Sequence, residues 1–367
     1  MGPYPHDVKT TEITEDNPMG TDGFEFVEFS SNNPDKLHTL FTKMGMSPVA
    51  KHKRKDITLY RQGDINYLLN ADKDSFGADF VKIHGPCASS MAFRVVDAKY
   101  AFETAVKNGA EAYAGDDKCV DAPAIMGIGG ALLYFIDEYG ADDAGKVSMV
   151  YDHDYEWINE KHESPKGKGF TYIDHLTHNV FRGNMEKWSK FYEKLFNFRM
   201  IRYFDIEGKL TGLVSKALTS PCNKIRIPIN QSTDDISQIE EYLRDYNGEG
   251  IQHVACGCDD IYKAVSDMHK VDMAFMPAPP HAYYVKTPKR LPHQDEDLEL
   301  AEKLGILIDG DPASGVLLQI FSGLEIGPIF FEFIQRKGDD GFGEGNFRAL
   351  FESIEDDQIK RGIIADA

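Results

Sequence analysis

The chain repeats itself, and no other feature constrains its fold as tightly, because duplicated units have to bury equivalent apolar faces against one another. The run Phe24-Glu25-Phe26-Val27-Glu28-Phe29 resembles Phe170-Thr171-Tyr172-Ile173-Asp174-His175. Each is strand-like and each leads into a helical pattern, with Leu37, Leu40, Phe41 and Met44 in the first and Met185, Trp188, Phe191 and Leu195 in the second. Further along, Ser90 to Asp97 (SMAFRVVD) matches His253 to Asp260 (HVACGCDD), and both runs enter a helix that Asp97 or Asp260 is placed to cap. Gly129 to Ile136 (GGALLYFI) matches Gly327 to Ile334 (GPIFFEFI). Strand, helix and further strands therefore occur twice in each half. The pattern predicts an α+β protein of two tandem barrel-like domains, each a curved sheet wrapped around a cleft with helices outside.

The predicted boundaries follow from composition. A first domain spans 20–151 and a second 169–367, joined by a linker at 152–168 that is charged, ends in Pro-Lys-Gly-Lys and lacks apolar periodicity. Within the second domain, Phe347, Leu350, Phe351 and Ile354 fall on one face and predict a C-terminal helix over 345–364, packed over the second barrel. With 40 Lys+Arg against 60 Asp+Glu the chain carries a formal charge of −20, which argues against nucleic acid or an anionic membrane as its main partner. The apolar runs are shorter than the ~20 residues of a membrane helix, and the first residues form no hydrophobic signal segment. The five cysteines contain no CxxC pair, so neither a disulfide framework nor a thiolate zinc site is expected, and the compartment is read as reducing cytoplasm.

The halves differ where chemistry is possible. Aligned on these runs, His175, His253 and Glu332 stand opposite Phe29, Ser90 and Tyr134 of the first half. Each falls in mid-strand, where a polar side chain needs a partner. Two imidazoles and one carboxylate form the facial ligand set suited to non-haem Fe(II), with positions left open for substrate and O2. The competing reading is two core histidines bonded to backbone and a buried acid paired with Arg336. That all three occur at equivalent positions of a repeat, and are all missing from the sister half, favours the metal. His178 lies three residues beyond His175, so in a strand it faces the other way and is read as structural. His153, His281 and His293 are read as surface residues.

Here the residues meet a known family. Tyr172-Ile173-Asp174-His175, Gly250-Ile251-Gln252-His253, Val316 to Phe321 (VLLQIF), Phe330 to Arg336 (FFEFIQR) and Gly341 to Phe347 (GFGEGNF) together resemble 4-hydroxyphenylpyruvate dioxygenases. The resemblance implies the βαβββ units of the vicinal oxygen chelate superfamily, with a degenerate, metal-free first domain. It implies one Fe(II) per chain on His175, His253 and Glu332. Ser215, Asn230, Gln238, Gln252 and Gln319 match the family's polar pocket lining, and Phe321, Phe330, Phe342 and Phe347 match its aromatic wall. Gln238, Gln252 and Gln319 would support O2 and the phenol. Asn346 opens the C-terminal helix, a lid hinged on Gly343 and Gly345. The implied reaction converts 4-hydroxyphenylpyruvate and O2 to homogentisate and CO2, in tyrosine catabolism, by a homodimer or homotetramer. Hydroxymandelate synthase is the alternative, and Phe330, Pro228 and Asn230 favour the dioxygenase over it. A ring-cleaving extradiol dioxygenase and a metal-free binding protein of the same fold are more distant readings.

Overall fold

The computed structural model describes residues 11–141, 146–207, 211–311, 315–343, 345–346, 359 and 362. Its alternating apolar runs become strands of two mixed sheets with the same internal order. The first sheet runs Tyr155–Trp157, Ser47–His52, Ile57–Gln62, Ile65–Asn70, Thr21–Ser30, Cys87–Val95, Leu132–Ile136, Ala124–Met126 and Ala112–Tyr113. The second runs Arg199–Glu207, Gly212–Thr219, Arg226–Ser232, Phe170–Val180, Gly250–Cys258, Phe330–Lys337, Gly315–Phe321 and Leu307–Asp311. Each sheet joins two βαβββ units by the antiparallel pairing of their first strands, and in each unit the last strand returns parallel to the first. The fourth unit carries two extra helices, His281–Arg290 and Leu298–Leu304, between its helix and its second strand.

The helices begin where their side chains can serve as caps. Asp97 Oδ1 accepts from the amide of Tyr100 at 2.8 Å, and Asp260 Oδ1 from that of Lys263 at 3.0 Å, each satisfying a first-turn donor. No helix among the described residues is long and apolar enough to cross a membrane.

Two predictions need correction. The stretch 152–168 is not wholly a connector, because Tyr155–Trp157 pairs with Ser47–His52 as the edge of the first sheet, after a short helix at Tyr151–Asp154. Three residues are too few for periodicity to reveal a strand. The alignment of the halves also shifts. Phe26 lies opposite Ala92 as His175 lies opposite Ala255, and Ala92 and Ala255 face Tyr134 and Glu332. His175 therefore corresponds to Phe26, and Phe29 corresponds to His178. The expected offset was wrong by three residues, an odd number, which exchanges the two faces of a strand.

Those faces have different destinations. One turns toward helices and the opposite half, where Phe29 meets Phe331 at 5.8 Å between ring centroids and Tyr67 Oη lies 3.0 Å from Cys256 Sγ. The other turns into the barrel. In the first barrel Phe26 and Tyr134 pack against each other at 5.4 Å, and Ser90 donates to buried Glu28 at 2.5 Å, so aromatic rings and a closed polar pair occupy the interior. The predicted helix over 345–364 lies almost wholly outside the described residues, of which Gly345 and Asn346 are helical.

Candidate metal centre

His175, His253 and Glu332 come from three neighbouring strands of the second sheet, in one interior layer and the next. His175 lies across from Ala255, Ala255 from Glu332, and His253 from Phe330. Their ligand atoms all lie within 4.8 Å of one another, and the residues are 3, 6 and 2 % exposed. Glu332 Oε2 is 3.1 Å from His175 Nε2 and 3.4 Å from His253 Nε2, and the two Nε2 atoms are 3.4 Å apart.

The remaining atoms of the three side chains are engaged. His175 Nδ1 donates to Asp174 Oδ1 at 2.8 Å, and His253 Nδ1 to Gln252 Oε1 at 3.1 Å, so both rings present Nε2 lone pairs to the centre. Glu332 Oε1 accepts from Gln319 Nε2 at 2.8 Å. Asp174 is clamped in turn by Arg336, whose Nε and Nη2 reach its two oxygens at 2.7 and 2.8 Å. Burial opposes the charge on Asp174, but Arg336, Arg226 and the His175 bond together hold its carboxyl well below the usual carboxylate range.

Two imidazole lone pairs and a carboxylate directed at one point repel unless a cation sits between them. The ionisation equilibria express this. Burial opposes protonation of His175, yet the Glu332 charge and the bonds from Asp174 and Glu332 outweigh it and push that imidazole up. Burial would raise Glu332, but the two imidazoles draw it down to about 2. Burial keeps His253 low, with Glu332 offsetting it only in part. A divalent metal satisfies all three groups at once, with a donor set of nitrogen and oxygen that suits non-haem iron.

The space beside the three ligand atoms is about 20 Å3, room for one water, and is walled by Thr177, Phe204, Pro228, Gln319, Phe321 and Phe342. Phe342 meets the His175 ring edge-on at 5.5 Å, and Phe330 stacks on the His253 ring at 4.7 Å. Asn346 donates to Gln319 Oε1 at 2.9 Å and accepts from Tyr283 at 2.6 Å. Gln252 touches His253 rather than the open space. Gln238 is half-buried as the first residue of helix Gln238–Asp245 and lies outside the cavity wall. Phe347 is outside the described residues.

Two residues of the expected polar lining, Ser215 and Asn230, come together with a third, Asn179, that escaped the sequence reading. Ser215 pairs across from Asn230, and Asn230 from Asn179, on three adjacent strands. Asn179 follows Thr177 by two residues and Asn230 follows Pro228 by two, so this row lies one layer beyond the cavity on the same interior face. All three are buried, and Ser215 Oγ, Asn230 Oδ1 and both carboxamide atoms of Asn179 have no partner. Leaving a buried polar group unsatisfied costs about 1–3 kcal/mol, so such a row is a place for a polar ligand or ordered water. The i, i+2 relation of Asn179 to Thr177 and of Thr177 to His175 was the only signal of Asn179 in the sequence. Asp174 was hidden differently, because the register shift between Ile173 and His175 lets adjacent residues serve one site. Arg336, read as a possible partner of Glu332, pairs with Asp174.

Two sheets of paired βαβββ units, with a 2-His-1-carboxylate set, among the described residues, inside the second alone, define an α+β protein of the vicinal oxygen chelate class. Residues 15–156 match the family model described as hydroxyphenylpyruvate dioxygenase, HPPD, N-terminal, and residues 172–287 match the glyoxalase/bleomycin resistance protein/dioxygenase superfamily. The chain is 51 % identical to 4-hydroxyphenylpyruvate dioxygenase of Pseudomonas aeruginosa and 53 % identical to hemolysin VllY of Vibrio vulnificus, in both cases over 96 % of this chain and 99 % of the relative. It also superposes on a mutant 4-hydroxymandelate synthase from Streptomyces coelicolor with a TM-score of 0.78 at 23 % identity, over 92 % of this chain and 99 % of that one, a likeness of fold. The chain belongs to the 4-hydroxyphenylpyruvate dioxygenase family and is a dioxygenase of that family.

Proposed function

We propose that this chain converts 4-hydroxyphenylpyruvate and O2 to homogentisate and CO2, using one Fe(II) held by His175, His253 and Glu332. The observation that carries the reading is the convergence of three buried ligand atoms whose partner atoms are already engaged by Asp174, Gln252 and Gln319. When bound, Fe(II) supplies the electrons that activate O2 and the open positions at which a 2-oxo acid is held beside it.

The chain's own residues do the rest. Two neutral imidazoles and one carboxylate leave a divalent ion with a net positive charge, which attracts an anionic keto acid despite the −20 of the whole chain. Phe321 and Phe342 wall the space next to the ligands, stack on an aromatic ring and exclude water from a reactive centre. The row Ser215, Asn230 and Asn179 offers hydroxyl and carboxamide groups to the polar atoms of the substrate without adding a group that titrates near neutrality. Phe330, stacked on His253, limits how the ring can turn and so which carbon is presented for hydroxylation.

The test is direct. Protein loaded with Fe(II) anaerobically is given 4-hydroxyphenylpyruvate, then O2, and the product is identified. Homogentisate is expected; hydroxymandelate, a cleaved ring or no turnover would overturn the reading. Loaded wild-type protein should hold about one iron per chain by elemental analysis, as one ligand set per chain requires. The variant His253→Ala should hold almost none, and full iron with full activity in that variant would remove His253 from the ligand set.

A further inference from the structure

We propose that Arg336 is a positioning residue that ties the metal ligand His175 to the segment Asp339–Gly343, so that filling the metal site and closing this segment over it reinforce each other. The inference rests on the metal reading above. A simple ion pair with Asp174 would occupy one edge of the guanidinium, and Nε and Nη2 already fill that role at 2.7 and 2.8 Å. The third nitrogen is used elsewhere: Nη1 donates to the carbonyls of Asp339 at 3.1 Å and Gly341 at 2.5 Å. The same Asp174 Oδ1 that Arg336 holds accepts the Nδ1 proton of His175. Arg226 reaches the same groups only at longer range, Asp174 at 3.4 Å and Asp340 at 3.6 Å, so the close contacts are those of Arg336.

What this segment carries makes the link consequential. Phe342 covers the site, meeting His175 at 5.5 Å with the Arg336 guanidinium 6.0 Å from its own ring, and its carbonyl accepts from Gln319 Nε2, the donor to Glu332. The described conformation leaves about 20 Å3 beside the ligands, too little for an aromatic keto acid, and Phe342 of this segment is one of the side chains that close it. Moving it strips Nη1 of two acceptors while the other edge stays on Asp174. A metal that fixes His175 thereby fixes Asp174 and the fork, and a fixed fork favours the closed segment. By linkage the effect is reciprocal. Only a planar fork can serve a carboxylate on one edge and carbonyls on the other, so Lys does not substitute.

Hydrogen exchange on the full-length protein, with and without Co(II) in place of iron, tests this. Co(II) binding is followed independently by its visible absorption. In the wild type Co(II) should slow exchange of the Asp339–Gly343 amides by about tenfold, within the usual range for coupled sites. Arg336→Lys should still bind Co(II) with the wild-type spectrum but show no slowing. Asp174→Asn should bind Co(II) about 10- to 100-fold more weakly, as loss of a ligand-orienting partner usually does. Wild-type protein that binds Co(II) with unchanged exchange overturns the proposal, as does slowing that persists in Arg336→Lys. Failure of the wild type to bind Co(II) overturns the metal reading itself. Absence of slowing in the wild type overturns the proposal whether or not a variant folds.

Discussion

A histidine in mid-strand means different things on the two faces of one strand, and His175 and His178 show this within four residues. His175 points into the barrel beside Glu332; His178 points out, where its Nε2 pairs with the Tyr192 hydroxyl at 2.8 Å. Burial holds His178 down to about 3, against an ordinary value of 6.5. Below pH 6.5 the unfolded chain therefore takes up a proton that the folded chain refuses, so this residue lowers stability progressively as pH falls from 6.5 toward 3. His178→Phe, which installs the residue found at the equivalent position 29, should remove that penalty. Between pH 6.5 and 4.5 the variant should lose about 2–3 kcal/mol less than wild type in urea titrations, and equal slopes would contradict the assignment. Phe330 tests the interior face. Its stack on His253 predicts that Phe330→Val, which opens the wall, yields some hydroxymandelate alongside homogentisate. An unchanged product mixture would show that the ring's orientation is set elsewhere.

Secondary-structure elements contribute by departing from regularity at chosen points. A register shift between Ile173 and His175 brings Asp174 and His175 to one site, and another between Thr177 and His178 leaves Gln252 beside His253. Bulges of this kind re-aim side chains without breaking the sheet. After the last strand, the chain turns at Gly343, whose φ of +71° suits glycine and whose added Cβ would stand 2.0 Å from Gln319 Oε1. Gly343→Ala should therefore displace the carboxamide that holds Glu332, lowering kcat/KM about 10- to 100-fold while circular dichroism stays near wild type. Normal kinetics in that variant would mean that the turn relaxes without disturbing Gln319.

At the scale of the whole molecule, the two sheets share a core rather than merely touching. Phe93 packs on Phe196 at 5.4 Å, His84 stacks on Tyr246 at 4.6 Å, and a Cβ at Gly129 would stand 1.9 Å from the carbonyl of Glu249. Large side chains from both halves belong to one continuous apolar cluster. The halves should accordingly unfold in one calorimetric transition, and two resolved transitions would show that each barrel is stable alone. The first barrel has Phe26 and Tyr134 packed together where its sister has His175 and Glu332. The surplus of acidic residues bears on solubility and long-range fields, while the site's chemistry depends on groups buried away from it.

Much of this was legible in the sequence. Strand and helix periods are local, so the four units, their order and the capping aspartates could be read from spacing, and the three candidate ligands stood out as polar residues in apolar strands. What spacing could not supply was register. A period of two assigns a face only until a bulge intervenes, and the chain has bulges beside His175 and His253; hence the unseen role of Asp174 and the wrong partner for Arg336, whereas the misplaced equivalence to Phe29 came from matching similar runs without knowing which residues pair across the sheet. The row of Ser215, Asn230 and Asn179 is built from three strands far apart in sequence and exists only once the sheet is assembled. The sequence by itself determined which groups were available and how often the unit recurs, because those depend on residue identity and short-range period. The tertiary structure alone decided which groups face one another across the barrel, because strand pairing and bulges are set by packing between distant segments.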